Sequence, residues 1–257
     1  MSNICILISV ALLFSSVDGR KFDMNNYNKN KVSANSSGWE SISLKEKIAQ
    51  MIMVRINGTF YNSDNWYRKE IEKWIGEDGV GGVIVFGGRV HGTYHNIKQF
   101  QDWAKYPLLV ASDLERGIGQ WNSEGTLFPT NMAFAATQDK DKTYAQGQIT
   151  AQEARALGIH VTFSPVLDIN NNPNNPIINF RAYSDSPKIV SKFGLSFMKG
   201  AQDGGLLTCP KHFPGHGNTA IDSHTSLPTI EGSKKELEEL EMSPFIDAIE
   251  AGADMVM

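Results

Sequence analysis

The chain has 257 residues, 41% of them hydrophobic and 20% charged, with a formal net charge of −4. That is enough apolar material for a sizeable core. The mildly acidic balance lacks the basic patch that marks a nucleic-acid-binding domain, and two cysteines, Cys5 and Cys209, are too few for a disulfide framework.

Ile4 to Phe14 is an apolar run broken only by Ser9. It is too short to span a bilayer and long enough for the core of a signal peptide. Small residues at Val17-Asp18-Gly19 offer a cleavage site, although Met1-Ser2-Asn3 carries no basic side chain. The reading is a signal peptide over 1–19 and export, secreted or periplasmic, with no other membrane segment. Cleavage would leave Cys209 alone. Residues 20–42, rich in Asn, Lys and Ser, read as a solvated linker. Asn35-Ser36-Ser37 and Asn57-Gly58-Thr59 fit the glycosylation pattern, a short match that arises often by chance.

The folded part is expected over 43–257. Ser43-Leu44-Lys45-Glu46 is a capping box that opens a helix with Leu44, Ile48 and Met51 on one face. Strand candidates follow at Met51–Ile56, Gly82–Phe86, Leu108–Ser112, Val161–Leu167, Leu206–Cys209 and Asp254–Met257. Most are short and unbroken, as strands buried on both faces should be. Helical stretches lie between them at Trp66–Gly76, His95–Lys105, Lys142–Leu157, Lys188–Gln202 and Ser233–Ala251. The last carries a second capping box, Ser233 with Glu236, and a fresh start at Ser243-Pro244. Gly158 and Gly252 sit where helices should stop.

Alternating strands and helices predict a parallel α/β sheet, either doubly wound or an eight-stranded barrel. A dinucleotide-binding sheet would place Gly-x-Gly-x-x-Gly after its first strand. Here Gly79-Val80-Gly81-Gly82 precedes a strand. Polar groups follow several strands, which favours the barrel. About six strands are visible, fewer than a complete (β/α)8 TIM-type barrel of ~250 residues needs. The expectation is therefore a barrel truncated after six units, a fragment of a longer protein.

Candidate chemistry sits at the strand ends. Asp113 follows Leu108–Ser112, and its two oxygens can accept from vicinal hydroxyls. Asp168 ends Phe163-Ser164-Pro165-Val166-Leu167, and Arg181 lies beyond a loop rich in Asn and Pro. A carboxylate beside arginine often only orients it, so Asp168 is read as a supporting group. Lys211 and His212 close the fifth strand candidate, and a lysine there is costly to bury unless paired. Asp222-Ser223-His224 permits an aspartate to fix one ring nitrogen of a histidine while the other transfers protons. Histidines at 212, 216 and 224 raise a metal site, but Pro214-Gly215 forbids the helix that four-residue spacing would need. His216 is read as structural.

Lys211-His212-Phe213-Pro214-Gly215-His216-Gly217 followed by Asp222-Ser223-His224 resembles the β-N-acetylhexosaminidase branch of glycoside hydrolase family 3. The resemblance extends to Phe163–Asp168 and Asn179-Phe180-Arg181. It departs at Asp113-Leu114-Glu115-Arg116-Gly117, where Arg116 replaces the first glycine of the common Asp-x-Glu-Gly-Gly pattern. It implies a retaining exo-glycosidase that removes terminal β-linked N-acetylglucosamine from a glycan, peptidoglycan or chitin fragment. It implies Asp113, Arg181, Lys211 and His212 as sugar-binding residues and Asp222 with His224 as the acid/base dyad. The aspartate nucleophile is expected beyond residue 257, and no metal or organic cofactor is expected. A β-glucosidase of the same family, a non-catalytic sugar-binding remnant and a metal-dependent barrel hydrolase are the alternatives.

Overall fold

The computed structural model describes residues 41–222, 226–230 and 232–257. The signal peptide, nearly all of the linker and the first of the two glycosylation patterns lie outside them, as does His224.

Strands and helices alternate from the start. Helix α1 (Leu44–Gln50) opens with the expected capping box: the Glu46 N–H donates to the Ser43 hydroxyl, and the Ser43 N–H donates to the Glu46 carboxylate at 2.9 Å. Then come β1 (Met53–Gly58), α2 (Trp66–Lys73) with a π-helical turn at Trp74–Asp78, β2 (Gly82–Gly88), α3 (Val90–Trp103) and β3 (Leu109–Ser112). They are followed by α4 (Asn131–Ala136), α5 (Lys140–Leu157), β4 (Val161–Thr162), α6 (Pro187–Asp203), β5 (Leu207–Thr208), α7 (Lys234–Glu239) and α8 (Ser243–Glu250).

All neighbouring strands pair in parallel, in the unbroken order β1-β2-β3-β4-β5. A doubly wound sheet would reverse its strand order at a switch point. A sequential order is the wall of a barrel, so the architecture is a partial TIM-type barrel. The sixth strand candidate runs beside β5 without forming a regular strand: Met255 N–H donates to the Thr208 carbonyl at 3.2 Å and Met257 N–H to that of Pro210 at 3.0 Å.

The strands alternate. Ile56, Val83, Val85 and Val110 point outward into a cluster with Ile71, Ile97, Phe100, Ala154 and Phe197 of the helices, joined by Ile159 just before β4. Ile84, Ala111, Val161, Phe163, Cys209 and Met255 point inward and pack on one another, with Met53, Phe86, Leu109 and Leu207 against them. A third cluster joins Leu167 and Ile169 to Val190, Phe193, Phe245 and Ala248 of α6 and α8.

Several sequence expectations are corrected. The Leu44, Ile48 and Met51 face of α1 is exposed, at 72%, 52% and 80%, and Ala49 is the residue that α1 buries. The regular ladder of β4 stops at Thr162, because Pro165 has no N–H to give, although pairing resumes at Val166 opposite Lys211. Helix α3 begins at Val90 rather than His95, because its first turns bury the polar Thr93 and Asn96 and so carry no apolar period. Helix α4 has six residues, too few for a periodic signal. Ser233–Ala251 divides into α7 and α8, with Pro244 in the first turn of α8. Gly81 and Gly82 serve packing: a Cβ on the first would overlap the Gln50 carbonyl, and on the second that of Leu109.

His160 enters the ladder with its side chain. Its N–H donates to the Val110 carbonyl at 2.8 Å, and its Nδ1 accepts from the Val110 N–H at 3.1 Å. Burial, with the Arg155 charge adding to it, depresses its pKa from 6.5 to about 4. Between those pH values the unfolded chain takes up a proton that the folded chain refuses. The stability held above pH 6.5 is therefore lost as the pH falls to 4. At about 1.4 kcal/mol per pH unit, the loss from this group is roughly 3 kcal/mol. Urea unfolding at pH 7 and pH 4.5 should show a smaller pH dependence in His160→Gln than in the parent chain.

Candidate active site

The inward alternation of β3 and β5 does not stop where the ladders stop. Leu109 and Ala111 face the barrel interior, so Asp113 follows them at its mouth, and Glu115 continues the series. Leu114 between them is fully buried in the outer core. Leu207 and Cys209 face inward likewise, and Lys211 follows. The two series meet. Lys211 Nζ donates to Asp113 Oδ1 and lies 2.8 Å from Glu115 Oε1. The lysine side chain is 4% exposed.

Arg181 comes from a single 3-10 turn, Asn179–Arg181, in the loop after β4. Its guanidinium grips Glu115 with two bonds, Nε to Oε2 at 3.0 Å and Nη2 to Oε1 at 2.8 Å. Nη1 donates to the Ile177 carbonyl, and the Arg181 carbonyl accepts from Asn131 Nδ2 on α4. Burial alone would raise the Glu115 carboxyl. The Lys211 and Arg181 charges outweigh it and hold the pKa down to about 2. Burial works against the Lys211 ammonium too, but Glu115 and Asp113 carry its pKa above the usual lysine value.

His212 stands beside this pair. Its Nδ1 is 2.6 Å from Asp168 Oδ2, and its Nε2 is 3.5 Å from Arg181 Nη2. Asp168 is fully buried and also accepts from the backbone N–H groups of His212 and His216, at 3.2 and 2.7 Å. Asp168, read from sequence as a supporting group, holds His212 and the start of the following loop by hydrogen bonds. The His216 ring stands edge-on to that of His212. The Lys211–His212 and Phe213–Pro214 peptides are cis.

Asn175 clasps the loops after β4 and β5 together. Its Nδ2 donates to the carbonyls of His216 and Gly217 at 2.8 and 2.9 Å. Its Oδ1 accepts from the N–H groups of Ile177 and Ile178. At Gly217 a Cβ would overlap the Ile169 carbonyl, so only glycine lets the two loops touch there. Asn171 adds a further tie, donating from Nδ2 to Glu241 at 2.7 Å.

Four of the predicted site residues, Asp113, Arg181, Lys211 and His212, therefore converge on one mouth. Asp222 lies farther along the loop, partly buried, its carbonyl accepting from the Ser226 N–H. Its partner His224 lies outside the described residues. Glu115 and Asn175 were not singled out from sequence. The signal for Glu115 was the inward series 109, 111, 113, 115; Asn175 had none beyond its place in a turn-rich run. Arg116, the departure from the family pattern, serves its own loop: its Nε donates to the Phe128 carbonyl at 3.0 Å. Cys209 is buried below the site. Burial raises its thiol to about 12, which keeps it protonated and no nucleophile.

Comparison with known proteins agrees with the fold. A family model described as the glycosyl hydrolase family 3 N terminal domain matches residues 43–257. The chain belongs to glycoside hydrolase family 3. It is 37% identical over 195 residues to β-hexosaminidase A of Pseudoalteromonas piscicida, covering 71% of this chain and 33% of that one. Among solved structures, a family 3 β-N-acetylglucosaminidase from Paenibacillus sp. str. FPU-7 superposes with a TM-score of 0.77 at 38% identity, covering 84% of this chain and 42% of that one. A β-glucoside phosphorylase, BglX, bound to 2FGlc superposes with a TM-score of 0.77 at 27% identity, covering 89% and 42%. This chain spans less than half the length of each of these three.

The clasp can be tested by itself. Asn175→Asp keeps the acceptor for Ile177 and Ile178 but turns a carboxylate oxygen on two carbonyls. Two buried donations are lost and a repulsion is gained, so unfolding by urea should show a loss of about 2–4 kcal/mol. Hydrogen exchange at residues 213–217 should accelerate more than that of β1 and β2.

Proposed function

We propose that this chain supplies the sugar-gripping and proton-transferring face of a retaining exo-β-N-acetylglucosaminidase. One observation carries the reading: Asp113 after β3, Arg181 in the loop after β4, and Lys211 and His212 after β5 meet at the C-terminal mouth of a family 3 barrel. That is the face on which barrels of this kind build their sites. The relatives named β-hexosaminidase and β-N-acetylglucosaminidase support the substrate class: a terminal N-acetylglucosamine of a glycan, peptidoglycan or chitin fragment.

In this proposal Asp113 Oδ2 accepts from ring hydroxyls, and Lys211 and Arg181 donate to hydroxyl oxygens. Asp222 accepts from one ring nitrogen of His224. The other nitrogen protonates the leaving oxygen, then takes a proton from the water that attacks the glycosyl-enzyme. Asp113 and Glu115 are paired with Lys211, Glu115 also with Arg181, and Asp168 with His212, an arrangement for gripping rather than attack. The covalent bond would form on a further aspartate, none of these three. Export of the protein is part of the same proposal, resting on the apolar run Ile4–Phe14.

A second reading is a β-glucoside-processing member of the family, favoured by the likeness to the β-glucoside phosphorylase. The two separate by comparing kcat/KM on p-nitrophenyl β-N-acetylglucosaminide and β-glucoside with the whole protein. The first should win, with the β-anomer as the initial product by NMR. An α-anomer, or preference for the glucoside, would defeat the proposal.

His224→Ala tests the acid/base role. General acid–base help is worth about 10²–10⁴-fold, and an activated leaving group needs less of it. Turnover should fall far more on alkyl or sugar aglycones than on p-nitrophenyl. Equal losses would remove His224 from that role.

A further inference from the structure

We infer that Glu115 is a positioning residue for the sugar site: its carboxylate aims both cations at the substrate without touching the substrate itself. The inference rests on the proposed sugar-binding function and adds a residue to it.

The argument is a count of donors. A guanidinium has five N–H groups and an ammonium three. Arg181 spends Nε–H and one Nη2–H on Glu115, one Nη1–H on the Ile177 carbonyl, and turns Nη2 toward His212 Nε2. Among the described residues, that leaves one Nη1–H. Lys211 spends two N–H groups, on Asp113 and Glu115, which leaves one. Each cation therefore keeps a single donor, and Glu115 decides where both point. The fork on Arg181 fixes the guanidinium plane, since two parallel bonds define it. Oε1 accepts from Lys211 and Arg181 at once, both at 2.8 Å, so the two cations cannot move independently.

Glu115 itself is held from behind. Its carbonyl accepts from Gln146 Nε2 on α5 at 3.0 Å, in a buried bond. Leu114 is locked in the outer core. The carboxylate is 7% exposed, beneath Asp113 and Arg181, each 22% exposed. Sugar would meet those two first. Asp113 is tied to Lys211 through Oδ1, so the glutamate also sets, at one remove, which aspartate oxygen faces the sugar.

A merely charge-balancing carboxylate would tolerate a shorter side chain. A positioning carboxylate would not, because aspartate falls about one C–C bond short of reaching both cations. The experiment compares Glu115→Asp with the parent in the whole protein by two readouts. The first is the Arg181 Nε–H signal in protein labelled with ¹⁵N-arginine, assigned by its loss in Arg181→Lys. The parent should show a protected signal that Glu115→Asp loses while its thermal melt stays cooperative. A protected signal that persists in Glu115→Asp overturns the inference. The second readout is kinetic. KM for p-nitrophenyl β-N-acetylglucosaminide should rise about 10- to 100-fold, with kcat changed much less. An unchanged KM overturns the inference as well.

If Glu115→Asp does not fold, the electrically balanced pair Glu115→Gln with Lys211→Met replaces it. The loss in KM on adding Glu115→Gln to Lys211→Met should be smaller than on adding it to the parent, because part of the glutamate's effect runs through the lysine and the rest through Arg181. Independent, multiplicative losses would overturn the inference. If the parent hydrolyses no β-N-acetylglucosaminide, the proposed function fails, and the arginine signal still decides the role of Glu115.

Discussion

Taking the Lys211 ammonium out of water costs several kcal/mol unless carboxylates meet it at close range. Arg181 adds a second charge that is largely out of solvent. Glu115 meets both, and Asp113 meets the lysine from the other side. Removing any one of these partners would strand a buried charge, which is far costlier than never having buried the pair. The strand ends that carry them are therefore tied to one another by electrostatics as well as by the ladder. Residues 98 positions apart, Asp113 and Lys211, are brought into contact, and the loop after β4 is drawn in by Arg181.

That convergence follows from the period of two along a strand. Once Leu109 and Ala111 fill the barrel interior, Asp113 cannot point anywhere but its mouth. Lys211 above Cys209 obeys the same rule. The parallel sheet, the capping boxes at Ser43 and Ser233 and the strand-end site were legible because each depends on local pattern. What was not legible depends on distance. Nothing within α1 tells that Ala49 rather than Leu44, Ile48 or Met51 would face the body of the protein. Nothing within the Asn-rich loop tells that Asn175, among its neighbours, reaches residues 216 and 217. Glu115 was a case between: its side was predictable, but its two partners lie on other loops.

The glycosidase motif is held by contacts that hydrogen-bond chemistry requires of a buried carboxylate. Asp168 is wholly out of solvent, and a charge there must accept several bonds to be tolerated. It takes them from the backbone at His212 and His216 and from the His212 ring, which fixes the first half of the motif against the end of β4. Gly217 and Asn175 fix the second half. The chain then leaves this anchorage and enters α7 through the cap at Ser233. Lys211 and His212 are thus bonded to the barrel frame through Asp113, Glu115 and Asp168.

The same contacts fix the hydrogen-bond character of the mouth. A carboxylate only accepts, so in the 2.6 Å contact His212 Nδ1 donates to Asp168 Oδ2. Nε2 is then an acceptor, which agrees with an Arg181 nitrogen facing it. Among the described residues, the surface offered to a ligand holds the acceptor Asp113 Oδ2 and one residual donor from each cation. A sugar hydroxyl both donates and accepts. A ring presenting adjacent hydroxyls can satisfy such an alternating set, whereas an anion would be repelled by Asp113 and a cation would compete with Lys211. The charges that make the site costly to build are largely spent on one another, and what is left over is polar, directional and suited to a neutral, hydroxyl-rich ligand.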